Sequence, residues 1–137
     1  PANMRSGQPE DGKKPVLADW GPVRQTYAGL LEIEPEWVSE HRADVLLLDV
    51  RQEGEVDERL GRIEGAQLLP LNELKDRLSE VPKDKPVVAV CHAGMRSGQA
   101  TVILRQGGFE RLANLRGGML MWHQLGLPVE RHAQPSV

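Results

Sequence analysis

The chain has 137 residues, of which 39% are hydrophobic and 27% charged, and its formal net charge is −3. This composition is typical of one globular domain and excludes the basic excess of a nucleic-acid-binding protein and the polybasic runs that bind anionic membranes. No apolar run approaches the roughly 18 residues of a membrane span. One cysteine excludes an internal disulfide and favours a reducing compartment, so we expect a cytoplasmic protein.

The two ends of the chain are polar and differ from its middle. Residues 1–15 contain Pro and Gly among polar side chains, which predicts a flexible N-terminal tail. We expect a single domain over residues 16–130 and a short C-terminal tail over residues 131–137.

Apolar runs alternate with helical patterns along the predicted domain. ADVLLLDV at 43–50 and KPVVAV at 85–90 are typical of strands buried on both faces of a parallel sheet. The alternation therefore predicts an α/β fold with a mainly parallel sheet, whose ligands bind beyond the carboxyl ends of the strands. The predicted elements are strands at 31–33, 43–50, 67–69, 85–90 and 111–115, a short helix from Pro35, and helices over 71–81, 97–106 and 117–125.

The single cysteine, Cys91, directly follows the apolar strand predicted over 85–90. A free thiol is mostly protonated at neutral pH, and only the thiolate is a strong nucleophile. Three nearby features would stabilise the anion. They are the backbone N–H groups that converge at a turn through Gly94, the N-terminus of the next helix, and the guanidinium of Arg96.

Two further side chains of this loop are candidates for supporting roles. His92 would add a hydrogen-bond donor, and Ser97 would cap the helix that follows. The alternative for the cysteine is structural, because a lone cysteine after a valine-rich strand is commonly a small buried hydrophobic residue.

The segment CHAGMRSGQA resembles the active-site loop of the rhodanese family of sulfurtransferases, whose pattern is C-x-x-G-x-R-S. LLLDVRQEGEV resembles the family's D-V-R-x-x-x-E block, GRIEGAQLLPL its G-H-I-x-G-A block, and GGFERLANLRGGMLMWHQLGLPVE its closing segment. The resemblance extends from about Leu31 to Glu130 in the family's order. The sequence departs from the pattern with Arg62 in place of His, Glu64 in place of Pro, and Val56 in place of an aromatic residue.

This resemblance implies a rhodanese-like three-layer α/β/α fold with a five-stranded, mainly parallel sheet. It implies that Cys91 accepts a sulfane sulfur from thiosulfate or a related persulfide and passes it to cyanide or a thiol, with no metal or organic cofactor. Asp49 and Arg51 would border the pocket or form a structural ion pair. The substrate-binding loop would comprise His92, Ala93, Gly94, Met95, Arg96 and Ser97.

Two alternative functions must be compared with sulfur transfer, because related proteins share parts of this pattern. Related phosphatases and arsenate reductases use C-x5-R, whereas Cys91 and Arg96 form the shorter C-x4-R, which suits a persulfide better than a phosphate. A rhodanese-like sulfur carrier or regulatory binding module with little turnover remains the alternative to an enzyme.

The segment ADWGPVRQTYAGLLEIEPEW resembles the lead-in of rhodanese domains fused behind metallo-β-lactamase-like persulfide dioxygenases. The chain lacks the H-x-H-x-D-H motif of such a dioxygenase, so it is either a free-standing relative or one domain of a larger protein. Glutathione persulfide becomes a candidate substrate, and a functional link to a persulfide dioxygenase is expected.

Overall fold

The computed structural model describes residues 14–15, 19–56 and 59–130. The strands are β1 (Lys14–Pro15), β2 (Arg24–Gln25), β3 (Leu31–Ile33), β4 (Leu46–Asp49), β5 (Gln67–Leu68), β6 (Val87–Val90) and β7 (Leu112–Leu115). The helices are α1 (Pro35–Glu40), α2 (Glu53–Val56), α3 (Leu71–Leu74), α4 (Met95–Gln106) and α5 (Gly118–Gln124). Two short 3₁₀ helices cover Arg42–Asp44 and Lys75–Glu80.

The strands form one sheet in the order β1-β2-β3-β7-β6-β4-β5. The five strands from β3 to β5 are all parallel, which confirms the predicted sheet. β1 and β2 extend it antiparallel at one edge and were not predicted. Each has only two residues, too few for a strand pattern to be visible in the sequence.

Alternate residues of the central strands enter two separate hydrophobic clusters, one on each face of the sheet. On β6, Val88 and Val90 pack with residues of α1 and α5, whereas Val87 and Ala89 pack with residues of α3 and α4. This alternation follows from the two-residue period of a strand. The predicted three-layer α/β/α arrangement is therefore confirmed, and the sheet centre is buried on both faces.

The helix predicted over 71–81 is broken in the structure. α3 ends at Leu74, and the 3₁₀ helix that follows contains a non-helical residue, Arg77, with φ −123° and ψ 24°. Leu74 and Val81 still enter the core as the pattern indicated. The apolar spacing thus identified the buried face but not the tighter winding, which brings Leu78 against Gly107 at the end of α4.

Arg62, which replaces the histidine of the family pattern, lies in a short antiparallel bridge. Its backbone N–H donates to the carbonyl of Glu130 at 3.0 Å and its carbonyl accepts from Glu130 at 2.8 Å. The neighbouring Ile63 is buried in the core. The backbone bridge therefore forms with arginine at this position, although Nε of Arg62, 3.7 Å from Oε1 of Glu130, is buried with no hydrogen-bond partner among the described residues.

The predicted tails fall largely outside the described residues. Residues 1–13 and 131–137 are not described, and Lys14–Pro15, assigned to the N-terminal tail, form β1. Within the described ranges, no helix has the length and apolar character needed to cross a membrane.

Candidate active site

Cys91 lies where β6 ends and the loop to α4 begins. The residue is 1% exposed, so its sulfur is buried beneath the loop. The backbone N–H of Gly94 donates a hydrogen bond to Sγ at 3.0 Å, and Ser97 Oγ lies 3.3 Å from Sγ. The sulfur therefore contacts two polar groups within an otherwise apolar region, at the N-terminal end of a 12-residue helix.

The loop folds over the sulfur because Gly94 has φ +110°, a conformation that side-chain-bearing residues rarely adopt. An added Cβ there would meet its neighbours only at ordinary contact distance, so backbone conformation and not space requires glycine. His92, Ala93 and Met95 are exposed on the outer surface of the loop, and their role in substrate binding stays a prediction.

The N-terminus of α5 holds the loop from the other side. Met119 N–H donates to the carbonyl of Cys91 at 2.8 Å, and Leu120 N–H donates to the carbonyl of His92 at 2.9 Å. Because N–H and C=O point in opposite directions in a trans peptide, the N–H groups of the same two peptide units point away from α5. This close approach requires Gly118, where a Cβ would lie 2.5 Å from the carbonyl oxygen of Cys91.

The sequence predicted that Ser97 caps α4, and this prediction is wrong. Gly94 is the N-cap residue and no side chain makes a capping bond there, whereas Ser97 lies within the first turn and is fully buried. Its hydroxyl donates a short hydrogen bond to Oδ1 of Asn114, a buried residue of β7. The hydroxyl therefore links the sulfur of Cys91 to the central strand β7.

Sequence reasoning missed Asn114. The available signal was a single polar residue inside the strand predicted over 111–115, and a buried amide needs a hydrogen-bond partner. Identifying that partner required knowing that β7 lies next to β6 in the sheet.

The Ser97–Asn114 bond predicts coupled effects on stability. We expect Ser97→Ala and Asn114→Ala each to reduce the free energy of unfolding by about 1–3 kcal/mol, because each leaves a buried polar group unsatisfied. The double variant should lose less than the sum, by about 1 kcal/mol. Urea denaturation of the three variants measures this coupling.

Thr101→Val is the matched control, since it removes another buried hydroxyl of α4, one that bonds to the Gly98 carbonyl. Its effect should add to that of Asn114→Ala. Additive losses for Ser97→Ala and Asn114→Ala would contradict the proposed link.

Arg96, predicted to stabilise the thiolate and to form part of the substrate-binding loop, binds a carboxylate of the protein. Nη1 and Nη2 donate to the two oxygens of Glu55 at 2.6 and 2.8 Å. The Arg96 hydrogen bond is the main reason that the pKa of the Glu55 carboxyl falls to about 2, and the Glu55 hydrogen bond in turn raises the pKa of Arg96. The short helix α2, not recognised in the sequence, carries Glu55 to this position.

Asp49 and Arg51 form a buried ion pair at the carboxyl end of β4. Nη2 of Arg51 lies 2.8 Å from Oδ2 of Asp49 and also donates to the carbonyl of Gly61 at 2.9 Å. Arg51 also lines a small recess with Glu55, Arg59, Leu60 and His92, whereas Asp49 does not line it. Asp49 and Arg51 therefore form a buried ion pair, and Arg51 also reaches a recess beside the loop; that either residue borders the substrate pocket stays a prediction.

These features define a parallel α/β domain with a cysteine loop at the carboxyl end of a central strand. The family model for the rhodanese-like domain matches residues 34–125, and the chain belongs to this family. The matched region lies within the predicted domain of residues 16–130.

Similar proteins include one named sulfurtransferase from Allochromatium vinosum, 44% identical over 101 residues, which are 72% of this chain and 92% of that protein. The uncharacterized protein YqhL of Bacillus subtilis is 42% identical over 76 residues, which are 56% of this chain and 59% of that protein. The family and the first relative's name support sulfurtransferase activity as the class of function.

Solved structures agree with this assignment. A rhodanese-related protein from Thermoplasma volcanium matches with a TM-score of 0.68 and 28% identity, covering 72% of this chain and 96% of that one. A rhodanese-like domain protein from Staphylococcus aureus matches with a TM-score of 0.62 and 27% identity, covering 72% and 97% respectively.

Proposed function

We propose that the protein moves a sulfane sulfur from thiosulfate or a related persulfide donor, through a persulfide on Cys91, to cyanide or a thiol acceptor. The observation that carries this proposal is the hydrogen bond from the Gly94 N–H to Cys91 Sγ at the start of α4. A backbone donor and the positive end of a helix both favour negative charge on sulfur. A purely structural cysteine needs neither.

The transfer takes two steps. The Cys91 thiolate attacks the outer sulfur of the donor, the donor's S–S bond breaks, and its electron pair leaves with sulfite or with a thiolate. The acceptor then attacks the terminal sulfur of the Cys91 persulfide, which regenerates the thiolate. No net oxidation or reduction of the protein occurs, and ping-pong kinetics are expected.

Glutathione persulfide is a further candidate substrate, either as the sulfur donor or as the product that forms when glutathione accepts the sulfur. This candidate is supported by the resemblance of residues 18–37 to the lead-in of rhodanese domains fused behind persulfide dioxygenases. A dioxygenase that consumes glutathione persulfide would then be the functional partner. A reducing compartment such as the cytoplasm would keep the Cys91 thiol available for this chemistry.

Intact-mass spectrometry of the protein after incubation with thiosulfate or glutathione persulfide tests the proposal. We expect a gain of one sulfur atom, removed by cyanide with release of thiocyanate, and steady-state turnover with the same donors. Absence of both the adduct and turnover with every donor would overturn it.

The exposure of Met95 favours a second candidate function, a sulfur carrier or regulatory module. Met95 is 80% exposed on the loop that covers the sulfur, where an apolar side chain suits contact with a protein partner. A carrier would form the adduct yet turn over slowly with small acceptors, so comparing adduct formation with turnover distinguishes the two functions.

A further inference from the structure

The carboxylate of Glu55 binds both terminal nitrogens of Arg96, the groups with which an arginine commonly binds an anion. The pair is end-on, with one N–H from each terminal nitrogen of Arg96 bound to a separate oxygen of Glu55. The two side chains are 34% and 31% exposed, so the pair lies at the surface of the site and not beneath it. An incoming anion therefore meets a cation whose charge Glu55 already balances.

The second arginine beside the loop is balanced in the same way. Arg51 donates hydrogen bonds to both oxygens of Asp49 and to the Gly61 carbonyl, and all three residues are buried. Arg59 lines the same recess and has an interaction of its own. Arg51 and Arg96 are thus each paired with a carboxylate of the protein, and the two guanidinium groups do not converge on a common ligand position.

Glu55 keeps its charge throughout the pH range in which a thiol enzyme works. Its pKa of about 2 follows mainly from the Arg96 hydrogen bond, so the carboxyl stays ionised at neutral and mildly acidic pH. The repulsion that it exerts on an approaching anion is therefore permanent and cannot be relieved by protonation.

We infer that Glu55 is a specificity-determining residue that disfavours donors with a dianionic leaving group and favours organic persulfides and other donors with at most one negative charge beside the transferred sulfur. This inference rests on the proposed sulfur transfer and names the donor class within it. Repulsion between Glu55 and the leaving group increases with the charge of that group, while the attraction of Arg96 is shared with Glu55. Thiosulfate, which releases dianionic sulfite, is affected most.

Two donors of nearly the same shape isolate the charge effect. Thiosulfate releases sulfite, whereas methanethiosulfonate, in which a methyl group replaces one oxygen, releases the monoanion methanesulfinate. Both transfer the same outer sulfur to Cys91. The ratio of their kcat/KM values therefore reports how strongly the site discriminates against the second negative charge.

In Glu55→Gln, we expect this ratio to shift toward thiosulfate by about tenfold, because the amide no longer repels the sulfite group and Arg96 is released. Inhibition by sulfate should strengthen by a similar factor. Glu53→Gln is the matched control, since it removes the same charge from an exposed position on α2 and should leave the ratio unchanged.

A loss of loop order in Glu55→Gln would lower kcat/KM for both donors, but it would not change their ratio. Glu55→Asp, which keeps the charge, should retain the wild-type ratio. If Glu55→Gln transfers sulfur with an unchanged donor ratio, the inference about Glu55 is wrong while the proposed function stands. If the wild-type protein forms no Cys91 persulfide with any donor, the proposed function itself fails.

Discussion

Replacing Cys91 with serine should lower the rate of sulfur transfer more than about 1,000-fold with every donor, as removal of a catalytic nucleophile commonly does. A serine hydroxyl is not ionised at neutral pH and cannot carry the sulfane sulfur as a persulfide. The chain has no other cysteine to replace it. Steady-state kinetics and intact-mass spectrometry of Cys91→Ser measure the loss of turnover and of the sulfur adduct.

The same variant should remain folded, so that the loss can be assigned to chemistry. Serine is similar in size, and its hydroxyl can accept the Gly94 N–H bond and contact Ser97, as the sulfur does. Urea denaturation should therefore show a change in the free energy of unfolding of no more than about 1–2 kcal/mol. Wild-type turnover by Cys91→Ser would show that the sulfur-transfer assignment is wrong.

Replacing Gly118 with alanine should damage both stability and activity. The residue has φ +59°, and a Cβ would lie 2.5 Å from the Cys91 carbonyl oxygen and 2.7 Å from backbone atoms of His92. Left-handed backbone strain costs about 1–2 kcal/mol in itself. The contact must in addition push α5 away from the loop, and a displacement of about 1 Å at a reacting atom can reduce the rate about 100-fold.

Gly126→Ala separates these two effects. Gly126 has φ +70°, yet a Cβ there would have no neighbour within 4 Å, so the variant carries the strain without the contact. We expect Gly126→Ala to lower stability by about 1–2 kcal/mol with activity unchanged. Equal activities of the Gly118→Ala and Gly126→Ala proteins, measured below their unfolding temperatures, would contradict a role for α5 in positioning the loop.

The sequence was sufficient for the features that depend on local patterns. The apolar runs at 43–50 and 85–90 identified β4 and β6, because a strand buried on both faces is apolar at nearly every position. The spacing from Cys91 to Arg96 identified the loop, and the glycine within it marked the turn. These features depend on backbone geometry and solvation over a few neighbouring residues.

Local patterns failed where the outcome depended on distant parts of the chain. The apolar spacing over 71–81 correctly predicted the burial of Leu74 and Val81, but the α-helix ends at Leu74 and a 3₁₀ helix follows, with Leu78 against Gly107 at the end of α4. Ser97 has the residue type and position of a helix cap, yet its hydroxyl bonds to Asn114, 17 residues later. The preference of serine for helix caps gave the wrong role for Ser97, because the folded chain offers its hydroxyl a buried partner in Asn114.

The sequence by itself therefore determined the parallel α/β class and the place of the single thiol at the end of a strand. The tertiary structure decided which groups surround that thiol. β6 lies between β4 and β7, so the segment after β4 brings Glu55 to Arg96, 41 residues away, and β7 brings Asn114 beneath Ser97. The physical reason is that the order of strands in a sheet is set by the packing of the whole core, which no local stretch of the chain encodes.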